Sequence, residues 1–138
     1  MGQIIEIKGV NKVFNSKKNQ QVKALKNVNL SIKDHEFVCI IGSSGCGKST
    51  LLRLMAGLMQ PTTGSIKVMG ERIEEPIDKA SMVFQQYSLL PWRNIIDNVA
   101  FGLEIRGVSK KERYEIADEI LNKFGLSDFN ESYPHELS

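Results

Sequence analysis

The segment Ile40-Ile41-Gly42-Ser43-Ser44-Gly45-Cys46-Gly47-Lys48-Ser49-Thr50 constrains this chain more than any other stretch. Gly42, Gly47, Lys48 and Ser49 stand at the spacing Gly-x4-Gly-Lys-Ser/Thr, and the flanks agree with that pattern. Phe37 to Ile41 is a continuous apolar run containing β-branched residues, which predicts a strand covered on both faces. Lys48 to Leu58 predicts a helix with Leu51, Leu52, Met55 and Leu58 at its apolar positions. Strand, glycine loop and helix in that order form a phosphate cradle. Glycine permits the tight backbone that turns several N–H groups into one concavity. The helix adds its unpaired first N–H groups and the positive end of its dipole. Lys48 is a mobile point charge able to reach the β- and γ-phosphates, and the Ser49 hydroxyl suits Mg2+. Each hydrogen bond to a charged group contributes about 1.5–3 kcal/mol, so several together hold a nucleotide.

The remaining composition excludes more than it selects. A formal net charge of +2 over 138 residues is too small a basic excess for a nucleic-acid surface, and we assign no nucleic-acid partner. Cys39 and Cys46 form no Cys-x-x-Cys pair, and His35 and His135 flank no metal-ligand pattern. Cys39 reads as an inert core residue within the predicted strand. The start, Met1 to Val10, lacks the long apolar segment of a secretory signal, and Glu6 breaks the myristoylation pattern. No apolar run approaches the length of a membrane span.

Along the chain, Ile4 to Val10 and Lys23 to Ile32 read as strands separated by a polar turn in Asn15 to Gln21. Pro61 to Gly64 turns the chain into a further strand, Ser65 to Gly70, and Ser81 to Gln85 reads as another. Gln86 to Asn94 reads as a loop and Ile95 to Ile105 as a helix. Ser109 to Phe124 predicts a second helix. Ser109 and Glu112 have capping-box spacing, Ile116, Ile120, Leu121 and Phe124 supply an apolar stripe, and Gly125 supplies a stop.

Several separated segments carry a resemblance beyond the phosphate loop. Lys8-Gly9-Val10-Asn11-Lys12-Val13-Phe14, Ala24 to Ile32, Gly42 to Leu58, Pro61 to Gly70 and Met82 to Trp92 follow the order and spacing of an ATP-binding-cassette (ABC) transporter ATPase subunit. Tyr133 to Ser138 is similar to the approach to that family's signature Leu-Ser-Gly-Gly-Gln, with Leu137 and Ser138 as its first two residues. The resemblance implies an α/β fold: a P-loop NTPase core with an N-terminal antiparallel β subdomain and the start of a helical subdomain. The corresponding division is about residues 1–93 for the β subdomain and P-loop core and about 94–138 for the start of the helical subdomain. It also implies an enzyme, an ATPase, with ATP and Mg2+ as ligands.

Site roles follow from the same resemblance, residue by residue. Gly42, Ser43, Ser44, Gly45, Cys46, Gly47, Lys48, Ser49 and Thr50 would hold the nucleotide, and Ser49 and Gln85 the Mg2+. Lys48 and Gln85 would act in catalysis, Gln85 because a neutral amide can both coordinate a cation and accept from water. Gln86 is the competing position for that role. Phe14 matches the aromatic that stacks on adenine; its alternative is a place in the core. Leu89, Leu90, Pro91 and Trp92 match the region that receives a helix of the membrane-spanning permease, against the alternative that Trp92 packs under its own domain. The implied partners are that permease, a second ATPase subunit and, indirectly, a solute-binding protein. The implied location is cytoplasmic, peripheral on the inner face of the cell membrane.

Leu89 to Arg113 is similar to importers of nitrate, alkanesulfonate and taurine, the Pro91-Trp92 pair being the main cue. A non-transport ABC ATPase and a short ATP-binding module without hydrolysis are the competing functions. The family's Asp/Glu pair that organises Mg2+ and activates water, and its switch histidine, match no segment of these residues. The sequence therefore reads as the N-terminal part of a longer ATPase, unable to hydrolyse by itself. With the Phe37–Ile41 strand lacking its parallel neighbours, the 138-residue polypeptide is expected to be poorly soluble or partly folded. Sedimentation and thermal melting check this; a monodisperse monomer with a sharp, reversible transition would refute it.

Overall fold

The computed structural model describes residues 3–15, 20–78, 80–85 and 88–137. It comprises two compact units, Met1–Val83 and Phe84–Ser138. Gln86 and Ser138 lie outside the described residues, as do residues 16–19 of the expected polar turn.

The first unit is built on strands β1 (Gln3–Asn15), β2 (Gln21–Lys33), β3 (Thr63–Val68) and β4 (Glu71–Arg72), with helix α1 (Lys48–Met55) between β2 and β3. The sheet order is β2-β1-β3-β4, and each neighbouring pair is antiparallel. Ile7, Val10, Leu25, Ile32 and Ile66 of the sheet form one buried cluster with Leu51, Leu54 and Met55 of α1. Leu51, Leu54 and Met55 are three and one apart, so they occupy one side of the helix. Burial of that side against the sheet, rather than helix propensity over eight residues, keeps α1 formed. After α1 the chain turns at Gly57, with φ +72°. A Cβ there would lie 2.1 Å from the Glu75 carbonyl oxygen.

β4 was not expected from sequence. Val68 pairs with Glu71 across the two-residue loop Met69-Gly70, and both loop residues have positive φ (53° and 86°). That geometry matches the twist of a tight hairpin. Two predicted strands are absent. Phe37 to Ile41 forms no strand, and Phe37 and Ile41 are 94% and 90% exposed. Ser81 to Gln85 forms none either, and Val83 is exposed. The reason is shared: a parallel strand needs a neighbour on its ladder, and no described residues pair with either segment. Cys39 is correspondingly exposed rather than in a core.

The second unit pairs helices α2 (Ile95–Ile105) and α3 (Lys110–Lys123), followed by single 3-10 turns at Ser127–Phe129 and Pro134–Glu136. Its core is Ile95, Ile96, Ala100, Ala117 and Leu121. The first amides of α2 are satisfied from several directions. Asn94 Oδ1 accepts from the Asp97 N–H at 3.0 Å. The N–H groups of Ile95 and Ile96 donate to the carbonyls of Ser132 and Asn130. At the start of α3, Ser109 Oγ accepts from the Glu112 N–H at 3.3 Å, which is one half of the expected capping box. Gly125 turns left-handed after α3 (φ 68°), as expected of a helix stop. The stripe differs from expectation. Ala117 and Leu121 face the core, while Ile116, Ile120 and Phe124 are exposed. Apolar content marked the helix, but α2 covers only a narrow strip of it.

Arg93 clamps Glu104 with two bonds, Nη1 to Oε2 at 2.8 Å and Nη2 to Oε1 at 3.2 Å, and Arg113 adds a third contact at 3.4 Å. The Arg93 hydrogen bonds, and then the charges of Arg93 and Arg113, hold the Glu104 carboxyl below its usual 4.5. A depressed carboxyl stabilises the fold above its unfolded value, and that contribution is lost as pH falls through the folded value. The α2–α3 unit is therefore expected to lose stability as pH drops below about 4.5. Glu104→Gln should flatten that part of the pH profile, as read by thermal melting between pH 7 and 3. In the first unit, Leu54→Ala should cost about 2–5 kcal/mol in denaturant titration, because Leu54 is 1% exposed between sheet and helix.

Candidate functional site

The glycine loop reaches α1 through Gly47, the helix N-cap, which is held left-handed at φ +102°. A Cβ at this position would lie 2.6 Å from the Ala24 carbonyl oxygen and 2.9 Å from Leu25 Cδ2. Only glycine can thus bring the loop this close to β2. The register explains why Ala24 is there. Lys12 pairs with Leu25 and Val13 with Lys23, so Ala24 is the extra residue of a bulge in β2. The bulge carries its carbonyl toward the loop.

The resulting open cavity, about 140 Å³, is lined by Ala24, Gly45, Gly47, Lys48, Ser49 and Thr50. Glycine as N-cap leaves α1 with no side-chain cap, and the first turn carries no acidic residue. The early amides and the positive end of the helix thus face this cavity without a competing anion. Lys48 Nζ donates to the carbonyls of Gly42 and Ser43, each at 2.7 Å, and lies 3.7 Å from Cys46 Sγ. Its ammonium is held by the loop's own carbonyls. The Cys46 N–H bonds back to the Ser43 carbonyl at 3.4 Å, closing the loop's first turn. Gly42 is packed from inside, since a Cβ there would meet Cys46 Sγ at 2.7 Å. Gly45 has φ +77° and nothing near its missing Cβ, leaving the backbone open to an approaching ligand. Donors, a cation and an uncapped helix end around a polar concavity fit a nucleotide's phosphates. Ser49, exposed in the helix's first turn, and Thr50 beside it line the cavity, and the Ser49 hydroxyl suits an accompanying Mg2+.

The other expected residues distribute as follows. Phe14 lies near the end of β1 opposite Val22, 38% exposed, with Lys12 Nζ over its ring at 5.3 Å. Val22 is two residues from Ala24, roughly 7 Å along the strand, so the β2 partner of Phe14 and the residue lining the cavity belong to one stretch of β2. Gln85 is exposed and belongs to the second unit, whereas the glycine loop belongs to the first. Leu89, Pro91 and Trp92 are exposed and Leu90 is half-buried. Trp92 at 71% exposure does not pack under its own unit. Among the described residues no three His, Cys, Asp or Glu side chains cluster as metal ligands, and no helix is long and apolar enough to cross a membrane. Ala24 is the lining residue that sequence reasoning missed. An alanine in an alternating strand carries no chemical signal; only the register slip reveals it.

Comparison with known proteins adds independent information. The sequence pattern of the family described as "ABC transporter" matches residues 25–138. The nitrate import ATP-binding protein NrtD of Synechocystis is 52% identical over 134 residues, covering 97% of this chain and 50% of that protein. The taurine import ATP-binding protein TauB of Escherichia coli (strain K12) is 47% identical over 115 residues, covering 83% of this chain and 45% of that protein. The chain thus spans about half the length of the curated relatives it matches. Among solved structures, the ATP-binding cassette MJ0796, as a dimer bound to ADP and Pi, superposes with a TM-score of 0.85 at 34% identity. That match covers 97% of this chain and 63% of the other.

Two outcomes test the loop. Gly47→Ala should weaken nucleotide binding by about tenfold or more through collision with the Ala24 carbonyl, as titrated with a fluorescent ATP analogue. Alkylation of Cys46 should block binding, and ATP should protect the thiol. Equal labelling with and without ATP would place Cys46 outside the nucleotide's reach.

Proposed function

We propose a function from one premise: this chain belongs to the ABC transporter family. Residues 1–138 form the nucleotide-holding part of an ATPase subunit that binds Mg-ATP. In the full-length protein, that binding and the hydrolysis that follows drive solute transport. The observation that carries this reading is the loop at the start of α1. Gly47 seats it on the Ala24 bulge, Lys48 is held by the Gly42 and Ser43 carbonyls, and the helix end carries no side-chain cap.

In this reading the loop amides and Lys48 bind and neutralise the phosphates, and Ser49 holds Mg2+. The metal's role is to neutralise charge on the transferring phosphoryl group. Phe14 covers the adenine, its ring supported by the cation of Lys12. Gln85 brings an amide to the metal or the attacking water.

Leu89, Leu90, Pro91 and Trp92 are the contact for a membrane-spanning permease, supported by the exposure of Trp92 and the Leu89 side chain on a loop. The subunit works as a pair, as the dimeric cassette it resembles does. It lies peripherally on the cytoplasmic face of the membrane, with a solute-binding protein reaching it only through the permease. The identity to proteins named for nitrate and taurine import supports import of a small anionic solute such as nitrate or a sulfonate.

Lys48→Ala in the full-length protein tests the central claim. ATP affinity should fall by at least about tenfold, since several charge-assisted bonds lose their cation. Unchanged affinity would overturn the assignment of this loop.

A further inference from the structure

The loop that presents Leu89 and Trp92 has an internal brace that the function above does not use. The N–H of Leu90 donates to Asn98 Oδ1 at 2.7 Å. Asn98 Nδ2 lies 3.1 Å from the Leu90 carbonyl oxygen, 3.0 Å from that of Arg93 and 2.9 Å from that of Asn94. One carboxamide thereby meets both backbone groups of Leu90 and the carbonyls of the two residues leading into α2. The amide's orientation is set by these partners, because an N–H needs an acceptor and carbonyls need donors. Within the brace, the Arg93 N–H donates to the Leu90 carbonyl at 3.1 Å. Leu90-Pro91-Trp92-Arg93 is thus a closed turn with proline at its second position, where a preset φ favours turning. Trp92 occupies the third position, exposed. Asn98 itself is half-buried on the first turn of α2, whose own amides are already satisfied. Its side chain is therefore not needed to cap the helix.

We propose that Asn98 is a positioning residue: its carboxamide holds Leu90 to Asn94 in the shape that presents Leu89 and Trp92 to the apolar segment of a membrane partner. The proposal rests on reading Leu89–Trp92 as the permease contact. An unbraced loop would have to be ordered on docking, and ordering costs part of the interaction it makes. A preformed turn avoids that cost and passes a push on Trp92 directly into α2.

The test uses the full-length protein, alone and assembled with its permease. Asn98→Ala removes the brace. Asn98→Asp keeps size but turns the donor end into an acceptor facing three carbonyls. In both variants, amide hydrogen exchange across residues 88–94 should accelerate about tenfold or more while α3 keeps its protection. The permease-stimulated kcat should fall about fivefold or more, with ATP affinity within about twofold. Unchanged exchange in both variants overturns the proposal. So does faster exchange that spreads through α3, which would make Asn98 a general stabiliser of the helix pair. Faster exchange confined to 88–94 with full stimulation also overturns it, and Trp92→Ala then locates the fault. If Trp92→Ala also stimulates fully, the permease contact is elsewhere; if it abolishes stimulation, the contact stands and Asn98 does not govern it.

Discussion

The seat of Gly47 on the Ala24 carbonyl is the contact on which the site depends. It joins three features that are separate in sequence: a bulge in β2, a left-handed glycine and the first turn of α1. Were the two backbones held apart by a methyl group, α1 would start elsewhere. Its amides would no longer line the cavity with Lys48 and Ser49. The apolar side of α1 then secures the other end, through Leu51, Leu54 and Met55 against the sheet. Close packing behind the helix and a close backbone approach in front of it position the groups lining the cavity to within small tolerances.

Much of this was legible because the governing physics is local. The glycine loop, the presence of a helix after it, the Ser109 start and the Gly125 stop each depend on a few neighbouring residues, but the covered side of α1 does not: Leu52 and Leu58, expected on it, are exposed, and Leu54 is buried instead. What was not legible depends on partners distant in the chain. Phe37 to Ile41 has the composition of a buried strand, and composition is a statement about an environment that the described residues do not supply. Ile116, Ile120 and Phe124 mark an apolar surface, but only the packing of α2 decides which of its residues are covered. Ala24 is more extreme, since its importance lies wholly in a one-residue slip between two strands. The Met69-Gly70 hairpin was missed because methionine is not a usual residue for positive φ.

The second unit shows a different economy. Its two helices bury few residues against each other, and much of its order comes from polar bonds at their ends. The Ser132 and Asn130 carbonyls take the first amides of α2, and the Arg93–Glu104–Arg113 cluster ties the loop before α2 to its far end and to α3. Tyr114 is half-buried against the core of this unit, its hydroxyl donates to Asp97, and that bond raises the phenol above its usual 10. Such a unit holds its shape through directional contacts and leaves apolar side chains such as Trp92 and Phe124 on its surface.

The sheet order also has a consequence for how the chain is made. β1 lies between β2 and β3, so its two edges find partners at very different moments of synthesis. The β2 edge can zip as soon as residue 33 has emerged, but the other edge must wait for Ile66 to Val68 to reach Ile7 and Ile5. For the span of chain in between, a hairpin with an unpaired edge and an uncovered apolar face is tethered to the ribosome. Closing pairs of that sequence separation is slow relative to closing a hairpin. The segment made during this wait is the glycine loop and α1. A helix that docks Leu51, Leu54 and Met55 on the nascent hairpin would shield its face before β3 arrives. The glycine loop is then among the first tertiary features of the nascent chain.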